Sequence, residues 1–402
     1  MILKETLRAV AHSQKTELSL FEYGIEREKL KEININVPFA LILSGIRRCG
    51  KSTLLRQITK KVRNFYYFNF EDPRAASFEV QDFQKLNEVF HEEFGEAEYY
   101  FFDEIQNVMK WELFVRALLD KKKHVIITGS NASLLSKELG TRLTGRHLRY
   151  ELFPFSFREF LNLIRKKPNI GVFEEFFTKG GFPEFLKIQS VGILQELFND
   201  IIIRDIVAKY KLRSVKAIQE MALYLLTNVG KEFSYNHLKK LFELGSTSSV
   251  ISFVSYFEDS YLLFTVPKFD YSLKKQLVNP KKVYSIDNGL SNTNSVSFSE
   301  DKGKMLENMV FLDLRRRHKD IFYFQEKGEC DFVVKEGTKI TKAIQVCFEL
   351  NEDNKKREID GLAEALEKFR LKEGLILTYN QTDELRIGNK TVKVLPVYKW
   401  ML

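Results

Sequence analysis

One short stretch of the chain, residues 45–53, carries residue types whose spacing suits phosphate binding. Its sequence GIRRCGKST fills every fixed position of the pattern G-x-x-x-x-G-K-[ST]. The glycines let successive backbone N–H groups face a phosphate, the lysine brings a positive charge to the β- and γ-phosphates, and the serine hydroxyl is a ligand for Mg²⁺. The predicted nucleotide-binding residues of this loop are Gly45, Arg48, Cys49, Gly50, Lys51, Ser52 and Thr53. Lys51 is also a predicted catalytic residue, because its charge stabilises the transferring phosphoryl group.

A second chemical signal lies about fifty residues further along, where an acidic pair ends an apolar run. Residues 99–102 are all aromatic, which is typical of a strand buried on both faces, and Asp103 and Glu104 follow directly. Ligands of open α/β sheets lie beyond the carboxyl ends of the strands. We therefore expect Asp103 to join Ser52 as a ligand of Mg²⁺ and Glu104 to polarise the attacking water. The alternative is a turn or a helix cap.

Two more groups are predicted near the same sheet edge. Residues 124–131 have the pattern of a strand that ends in Ser130 and Asn131. Either side chain is able to orient the water beside the γ-phosphate, although both are equally suited to cap the next helix. Arg142 and Arg146 precede another strand, and a guanidinium from a neighbouring subunit is able to stabilise the transferring phosphoryl group. Arg146 is the first choice, but the sequence does not separate it from Arg142.

Bringing these residues together requires a sheet of parallel strands. An apolar run leads into the phosphate loop, and residues 53–62 continue with helical spacing, so a strand, a loop and a helix occur in the required order. Further strands are predicted over residues 64–70, 99–102, 124–131 and 147–153. The expected fold class is therefore α/β, with a parallel sheet of the P-loop type.

Composition sets the broad class of the protein. The 402 residues are 44% hydrophobic and 29% charged, which is typical of a globular chain of two or three domains. The net charge of +9 makes a polyanionic partner such as DNA plausible. Three widely spaced cysteines indicate neither a disulfide framework nor a zinc site. Because no long apolar stretch or signal peptide is evident, we expect a cytoplasmic protein with no membrane partner.

Several motifs together resemble those of the prokaryotic AAA-type ATPases that carry a C-terminal domain of uncharacterised function. They are SGIRRCGKSTLL, FNFED, FFDEIQ, ITGSNASLLS, LTGR, LFPFSFREF and KGGFPEF. The resemblance implies a P-loop domain that uses ATP and Mg²⁺ over residues 1–155, a helical lid and connector over 156–210, and ring-like homo-oligomers. It also implies that the lid turn, including Pro183, lies near the adenine. A simple Gly-Gly turn closed by proline is the alternative.

Residues 211–285 resemble a winged helix whose wing is rich in lysine. The second helix of such a motif enters the major groove of DNA, and wing lysines contact phosphates. Residues 246–249 and Tyr256 are the candidate base readers. The basic loop is expected to contain Lys268, Lys274, Lys275, Lys281 and Lys282. Winged helices also serve as spacers and protein docks, and that alternative stays open.

The last segment, residues 286–402, resembles the core of PD-(D/E)xK nucleases. Glu307 lies on a helix, Asp331 lies on a strand, and Gln345 with Cys347 occupies the strand positions where this core has a carboxylate and a lysine. Neutral glutamine is a poorer Mg²⁺ ligand, and cysteine does not supply the missing cation. We therefore expect a nuclease-like domain that has lost cleavage and binds DNA or supports assembly.

The sequence thus favours an ATPase whose hydrolysis drives remodelling of, or movement on, DNA, including branched DNA. The main alternative is an ATP-gated oligomeric switch that acts on a protein partner. An ATP-regulated nuclease is a third hypothesis, which Cys347 disfavours.

Overall fold

The computed structural model of the protein describes residues 1–129, 143, 145–296 and 301–402. The chain divides into two compact units, Met1–Phe153 and Pro154–Leu402. Among the described residues, no helix combines the length and the apolar character needed to cross a bilayer.

The first unit is built on a five-stranded parallel sheet with the order β2-β3-β4-β1-β5. Its strands are β1 (Ala40–Gly45), β2 (Phe65–Asn69), β3 (Tyr99–Asp103), β4 (His124–Gly129) and β5 (His147–Leu152). All six residues of β1 are buried, because the strand lies inside the sheet and has neighbours on both edges. This sheet confirms the predicted α/β class and the parallel strands of the P-loop type.

Four helices accompany this sheet in the described part of the unit. They are α1 (Lys4–Leu20), α2 (Lys51–Thr59), α3 (Asp82–Phe94) and α4 (Trp111–Asp120), with short 3₁₀ turns at Glu28–Lys31, Pro73–Ala75 and Ile105–Asn107. Helix α1 buries Leu7, Val10, Ala11 and Leu18, which recur at the spacing of one helix face. Most of these side chains pack in one hydrophobic core with alternate aromatic residues of the two strands β2 and β3, which are Tyr66, Phe68, Tyr100 and Phe102.

The second unit begins with helices. They are α5 (Phe157–Ile164), α6 (Ile170–Lys179), α7 (Pro183–Ile188) and α8 (Gly192–Asp200), and a π-helical segment follows over Ile201–Ala208. Helix α5 starts with a capping box in which Ser156 accepts from the N–H of Glu159 and the Glu159 carboxylate accepts from the N–H of Ser156.

A small antiparallel sheet with the order β6-β8-β7 follows. Along the chain the elements are α9 (Val215–Thr227), β6 (Glu232–Phe233), α10 (Tyr235–Leu241), α11 (Thr247–Asp259), β7 (Leu263–Pro267), α12 (Leu273–Val278) and β8 (Lys281–Ser285). The expectation of one basic loop before β8 is wrong in two respects. Part of it forms helix α12, and Lys281 and Lys282 belong to strand β8 itself.

A six-stranded mixed sheet with the order β13-β14-β12-β11-β10-β9 completes the second unit. Its strands are β9 (Asp320–Gln325), β10 (Glu329–Glu336), β11 (Lys339–Val346), β12 (Glu373–Thr378), β13 (Asp383–Ile387) and β14 (Lys390–Pro396). The helices are α13 (Asn288–Asn294), α14 (Lys302–Arg317), α15 (Lys355–Lys368) and α16 (Val397–Trp400). Helix α15 packs Leu362, Ala365 and Leu366 into the core of this sheet.

Candidate functional site

The phosphate loop leaves β1 at Gly45 and enters helix α2 at Lys51. Gly45 has no room for a side chain, because a Cβ atom there would lie 2.1 Å from the carbonyl oxygen of Leu152. Gly50 has a φ of 98°, a left-handed conformation that favours glycine. Glycine is therefore required at both ends of the loop, at Gly45 because the backbone of another strand lies close and at Gly50 because φ is positive.

The ammonium group of Lys51 lies over the loop it follows. The side chain is buried, and its Nζ donates to the carbonyl oxygens of Gly45 and Ile46 at 3.1 and 3.0 Å. These are neutral acceptors, and an anionic phosphate oxygen forms a stronger charge-assisted hydrogen bond with an ammonium. The position of Lys51 therefore suits exchange of the two carbonyls for a phosphate.

A buried carboxylate stands beside the start of helix α2. Ser52 Oγ donates to Asp103 Oδ1 at 3.1 Å, and Thr128 Oγ1 donates to the same oxygen. Tyr67 donates its hydroxyl to Asp103 Oδ2 at 3.2 Å. Burial raises the pKa of Asp103, and the neighbouring Glu104 carboxylate adds to the rise. The hydroxyl and carboxylate oxygens of Ser52 and Asp103 thus converge on one point, which is a donor set that fits Mg²⁺.

The backbone of Glu104 has a left-handed conformation, with φ 50° and ψ 44°. Its N–H donates to Thr128 Oγ1 at 2.9 Å, and Gln106 donates its side-chain amide to the carboxylate. Few non-glycine residues adopt this backbone conformation, and it is frequent at functional sites. Thr128 therefore positions both members of the acidic pair. Its hydroxyl donates to the Asp103 carboxylate, and the oxygen of the same hydroxyl accepts from the Glu104 N–H.

Sequence reasoning missed Arg27, which lies in an unpatterned segment before β1. Its side chain is only 1% exposed. Nη1 donates to the carbonyl of Cys49 at 2.6 Å, and Nη2 donates to the carbonyl of Phe153 at 2.7 Å. The Arg27 N–H donates to Gln57 Oε1 at 3.1 Å, so α2 holds the segment in turn. Arg27 therefore connects the phosphate loop with the residue that follows β5.

The other predicted residues of this unit have diverse surroundings. Arg48 is exposed and has a φ of 62°. Cys49 is buried, and burial raises the pKa of its thiol. Thr53 lies in the first turn of α2, directly after Ser52. Arg146 forms an ion pair of 2.7 Å with Asp120. The predicted residues Ser130, Asn131 and Arg142 lie outside the described residues.

The turn that carries Pro183 belongs to the second unit, where Pro183 begins α7. A buried carboxylate, that of Asp287, explains the glycine at position 180, whereas a Cβ atom at Gly181 would lie 2.3 Å from the carbonyl oxygen of Phe155. Gly181 donates its N–H to Asp287 Oδ2 at 2.6 Å, and a Cβ atom at Gly180 would lie 2.1 Å from Asp287 Oδ1. Proximity of this turn to an adenine stays a prediction.

The candidate DNA-reading residues have intramolecular partners. The Tyr256 ring stacks on Tyr210 with ring centres 3.7 Å apart. Ser246 Oγ accepts from the N–H of Ser249 as an N-cap, and Thr247 Oγ1 donates to Asn236. A role in reading bases therefore stays a prediction for these side chains.

Residues of the nuclease-like pattern do come together in the second unit. The N–H of Asp331 donates to Gln345 Oε1 at 3.1 Å. Glu307 and Asp331 share a partner, Lys282, whose Nζ lies 3.0 and 2.8 Å from their carboxylates. The expectation of Lys282 in the basic loop is wrong. Its side chain extends from strand β8 to the carboxylates of Glu307, Glu329 and Asp331, which we call the acidic cluster.

Comparison with known proteins agrees with the geometry of the first unit. Residues 38–161 match the family model of the AAA domain, and residues 171–300 and 302–400 match two domains of unknown function, DUF8612 and DUF4143. Among solved structures, AMPPCP-bound DnaA from Aquifex aeolicus aligns with a TM-score of 0.29 and 14% identity, covering 57% of this chain and 85% of that chain. With a score this low, the similarity to that structure is weak.

Two relatives match nearly the whole chain. The uncharacterized protein MJ1544 of Methanocaldococcus jannaschii is 35% identical over 413 residues, which cover 93% of this chain and 92% of that protein. An uncharacterized protein of Haemophilus influenzae is 28% identical over 393 residues, which cover 91% of this chain and 95% of that protein. The chain therefore carries an AAA domain and belongs to the same family as MJ1544.

Proposed function

We propose that the protein hydrolyses ATP in a magnesium-dependent reaction at the phosphate loop of its first unit. The observation that carries the proposal is the 3.1 Å hydrogen bond between Ser52 Oγ and Asp103 Oδ1. It joins the first turn of α2 to the carboxyl end of β3, and Lys51 precedes Ser52 in the same turn. A loop that merely turns between a strand and a helix has no need of a buried carboxylate at this position.

Each residue of the site has a role that follows from its position. Lys51 binds the β- and γ-phosphates with its ammonium, and the loop N–H groups accommodate the remaining phosphate oxygens. Ser52 and Asp103 would hold Mg²⁺, which when bound neutralises charge on the phosphates. Glu104 accepts a proton from the attacking water. Thr128 keeps the two carboxylates in register through its contacts with Asp103 and with the Glu104 backbone.

Steady-state ATP hydrolysis tests this proposal. The wild-type protein should turn over ATP with Mg²⁺ and stop when EDTA removes the metal. Lys51→Ala should abolish turnover, whereas the matched control Lys121→Ala, which removes an exposed lysine of the same unit, should retain it. Turnover that survives in Lys51→Ala would exclude this loop as the site of hydrolysis.

We further propose that ATP hydrolysis is coupled to DNA, with neighbouring subunits sharing active sites in a homo-oligomer. The net charge of +9 and the helix pair α10 and α11 beside the β6-β8-β7 sheet support the first part. Stimulation of turnover by single-stranded, duplex or four-way-junction DNA, weakening with salt, is the expected result. No response to any DNA would favour the alternative, an ATP-gated switch that acts on a protein partner.

Arg146 is the first choice for an arginine that completes a neighbouring subunit's site. Arg146→Ala should lose turnover and recover part of it on mixing with Lys51→Ala subunits, because mixed neighbours combine one intact loop with one intact arginine. Arg142→Ala should be mixed in the same way. Failure of rescue for both variants would contradict shared sites.

A further inference from the structure

The acidic cluster of the second unit is built around a lysine. Lys282 is 1% exposed, and its Nζ lies 3.0 Å from Glu307 Oε1, 2.6 Å from Glu329 Oε1 and 2.8 Å from Asp331 Oδ1. These partners come from different elements, since Lys282 lies on β8, Glu307 on α14, and Glu329 and Asp331 on β10. One ammonium therefore bridges three carboxylates.

The two most buried carboxylates of the cluster already use all of their oxygens. Glu307 Oε1 accepts from Lys282 and from the Tyr284 hydroxyl, the latter at 2.6 Å. Glu307 Oε2 accepts from Lys304 at 2.6 Å. In Asp331, Oδ1 accepts from Lys282, whereas Oδ2 accepts from the N–H of Val346 at 3.0 Å. Every oxygen of these two carboxylates thus has a hydrogen-bond donor supplied by the protein itself.

Gln345 does not add a free ligand to the set. Its Oε1 accepts from the N–H of Asp331, and its Nε2 donates to Glu358 Oε2 at 2.6 Å. The amide is oriented by these two bonds, so the oxygen that a metal would need serves the backbone instead. Within the described ranges, no group of three or more histidine, cysteine, aspartate or glutamate side chains is arranged to hold a metal ion.

Charge within the cluster is nearly balanced without a metal ion. Glu307, Glu329 and Asp331 bring three negative charges, and Lys282 and Lys304 bring two positive charges. An ion that entered beside Lys282 would meet two ammonium groups at close range, and like charges repel strongly where burial lowers the dielectric constant. A metal ion has a route to the cluster, because Glu307 and Asp331 line a cavity of about 600 Å³.

We propose that the ammonium of Lys282 is the built-in cation of this cluster, where it takes the place of a divalent metal ion and closes the carboxylates to metal. The second unit then has no metal-dependent cleavage activity at this site. The lysine instead links strand β8 of the three-stranded sheet to helix α14 and to strand β10 of the six-stranded sheet. This role is independent of the proposed ATP hydrolysis in the first unit.

Binding of Mn²⁺ to the full-length chain, measured by electron paramagnetic resonance without nucleotide, tests the proposal. All variants are made in an Asp103→Asn background, which removes the carboxylate of the phosphate-loop site. The background protein should bind no Mn²⁺ through the cluster. Lys282→Met should gain one site at least tenfold tighter than any in the background, and adding Asp331→Asn should remove it. The matched control is Lys281→Met, since the neighbouring Lys281 donates to the carbonyl of Gln276 and lies outside the cluster.

Mn²⁺ binding by the background protein that disappears with Asp331→Asn would overturn the proposal, because the cluster would then be an open metal site. So would a Lys282→Met protein that folds normally and gains no Mn²⁺ site. Should Lys282→Met fail to fold, thermal unfolding provides the second measurement. Neutralising the partners in Lys282→Met/Glu307→Gln/Asp331→Asn should restore a folding transition, since unpaired buried carboxylates destabilise more than a neutral cluster. Failure of that restoration would also overturn the proposal.

Discussion

Arg27 Nη1 donates to the carbonyl of Cys49 at 2.6 Å, and this bond ties the N-terminal segment to the centre of the phosphate loop. The same guanidinium donates to Phe153 at 2.7 Å through Nη2. Arginine suits this task because its planar fork serves two carbonyls at fixed directions, whereas a lysine ammonium is a single point charge. The loop is therefore supported by a residue that precedes the AAA-domain match at residues 38–161.

Arg27→Met should lower both the stability and the nucleotide affinity of the protein. The change removes two donors from buried carbonyls, each worth about 1–3 kcal/mol when a buried group loses its partner. We expect the free energy of unfolding to fall by about 2–6 kcal/mol and the dissociation constant for ATP to rise. Denaturant unfolding and nucleotide titration measure the two effects. Arg27→Lys should recover only part of each, and the exposed Arg63→Met should change neither.

Gly45→Ala should disrupt the phosphate loop. The added Cβ would lie 2.1 Å from the Leu152 carbonyl oxygen and 3.1 Å from Cys49 Sγ, so β5 or the loop must move. The expected loss of stability is on the order of 3 kcal/mol or more, with loss of ATP binding. The control is Gly95→Ala, because Gly95 also has a positive φ, 67°, but a Cβ atom there would meet no described atom within 4 Å beyond its chain neighbours. Equal stabilities of the two variants would contradict this account of the loop.

Asp287 should make stability depend on pH in the acidic range. Burial raises its pKa from 3.8 to about 6, although the N–H groups of Gly181 and Leu290 oppose the rise. The folded state therefore binds this proton more tightly than the unfolded state. The stabilising contribution is full below pH 3.8 and is lost as pH rises through about 6. At 1.36 kcal/mol per pKa unit, the total change is roughly 3 kcal/mol.

Denaturant unfolding between pH 4 and 7 measures this effect as the difference between the wild type and Asp287→Asn. The difference should vary with pH across that window, because asparagine does not titrate. Asp301→Asn is the control, since Asp301 is an exposed N-cap that accepts from the N–H of Lys304. A difference that stays constant with pH would show that Asp287 has an ordinary pKa.

Local sequence patterns are sufficient to predict the parallel sheet and to single out the loop and acidic pair. The glycines, Lys51, Ser52 and the Asp103–Glu104 pair stand at positions that a strand, a turn and a helix impose, so short-range spacing carries the information. The adjacency of Ser52 and Asp103 follows from the rule that parallel strands present their carboxyl ends at one edge. The α/β class and the AAA-type domain are accordingly confirmed.

Long-range polar contacts are not predictable in this way. Arg27 and Cys49 are 22 residues apart, and no periodicity links an arginine in an irregular segment to a carbonyl in a loop. The other lysines near Lys282 in sequence favour its interpretation as a solvated charge. Its actual partners, Glu307 and Asp331, are 25 and 49 residues away and lie on other elements. Such long-range contacts depend on how helices and strands pack against one another, and the type of a single residue does not indicate that packing.

The most direct test of the central claim compares ATP binding with ATP hydrolysis in Glu104→Gln. The amide is similar in shape to the carboxylate but accepts no proton, so the variant should bind ATP as the wild type does and hydrolyse it at least about 100-fold more slowly. Glu96→Gln serves as the matched control, because that side chain is 80% exposed in the same unit. Hydrolysis by Glu104→Gln at the wild-type rate, or a wild-type protein that binds ATP and never hydrolyses it, would contradict the assignment of this site as a magnesium-dependent ATPase centre.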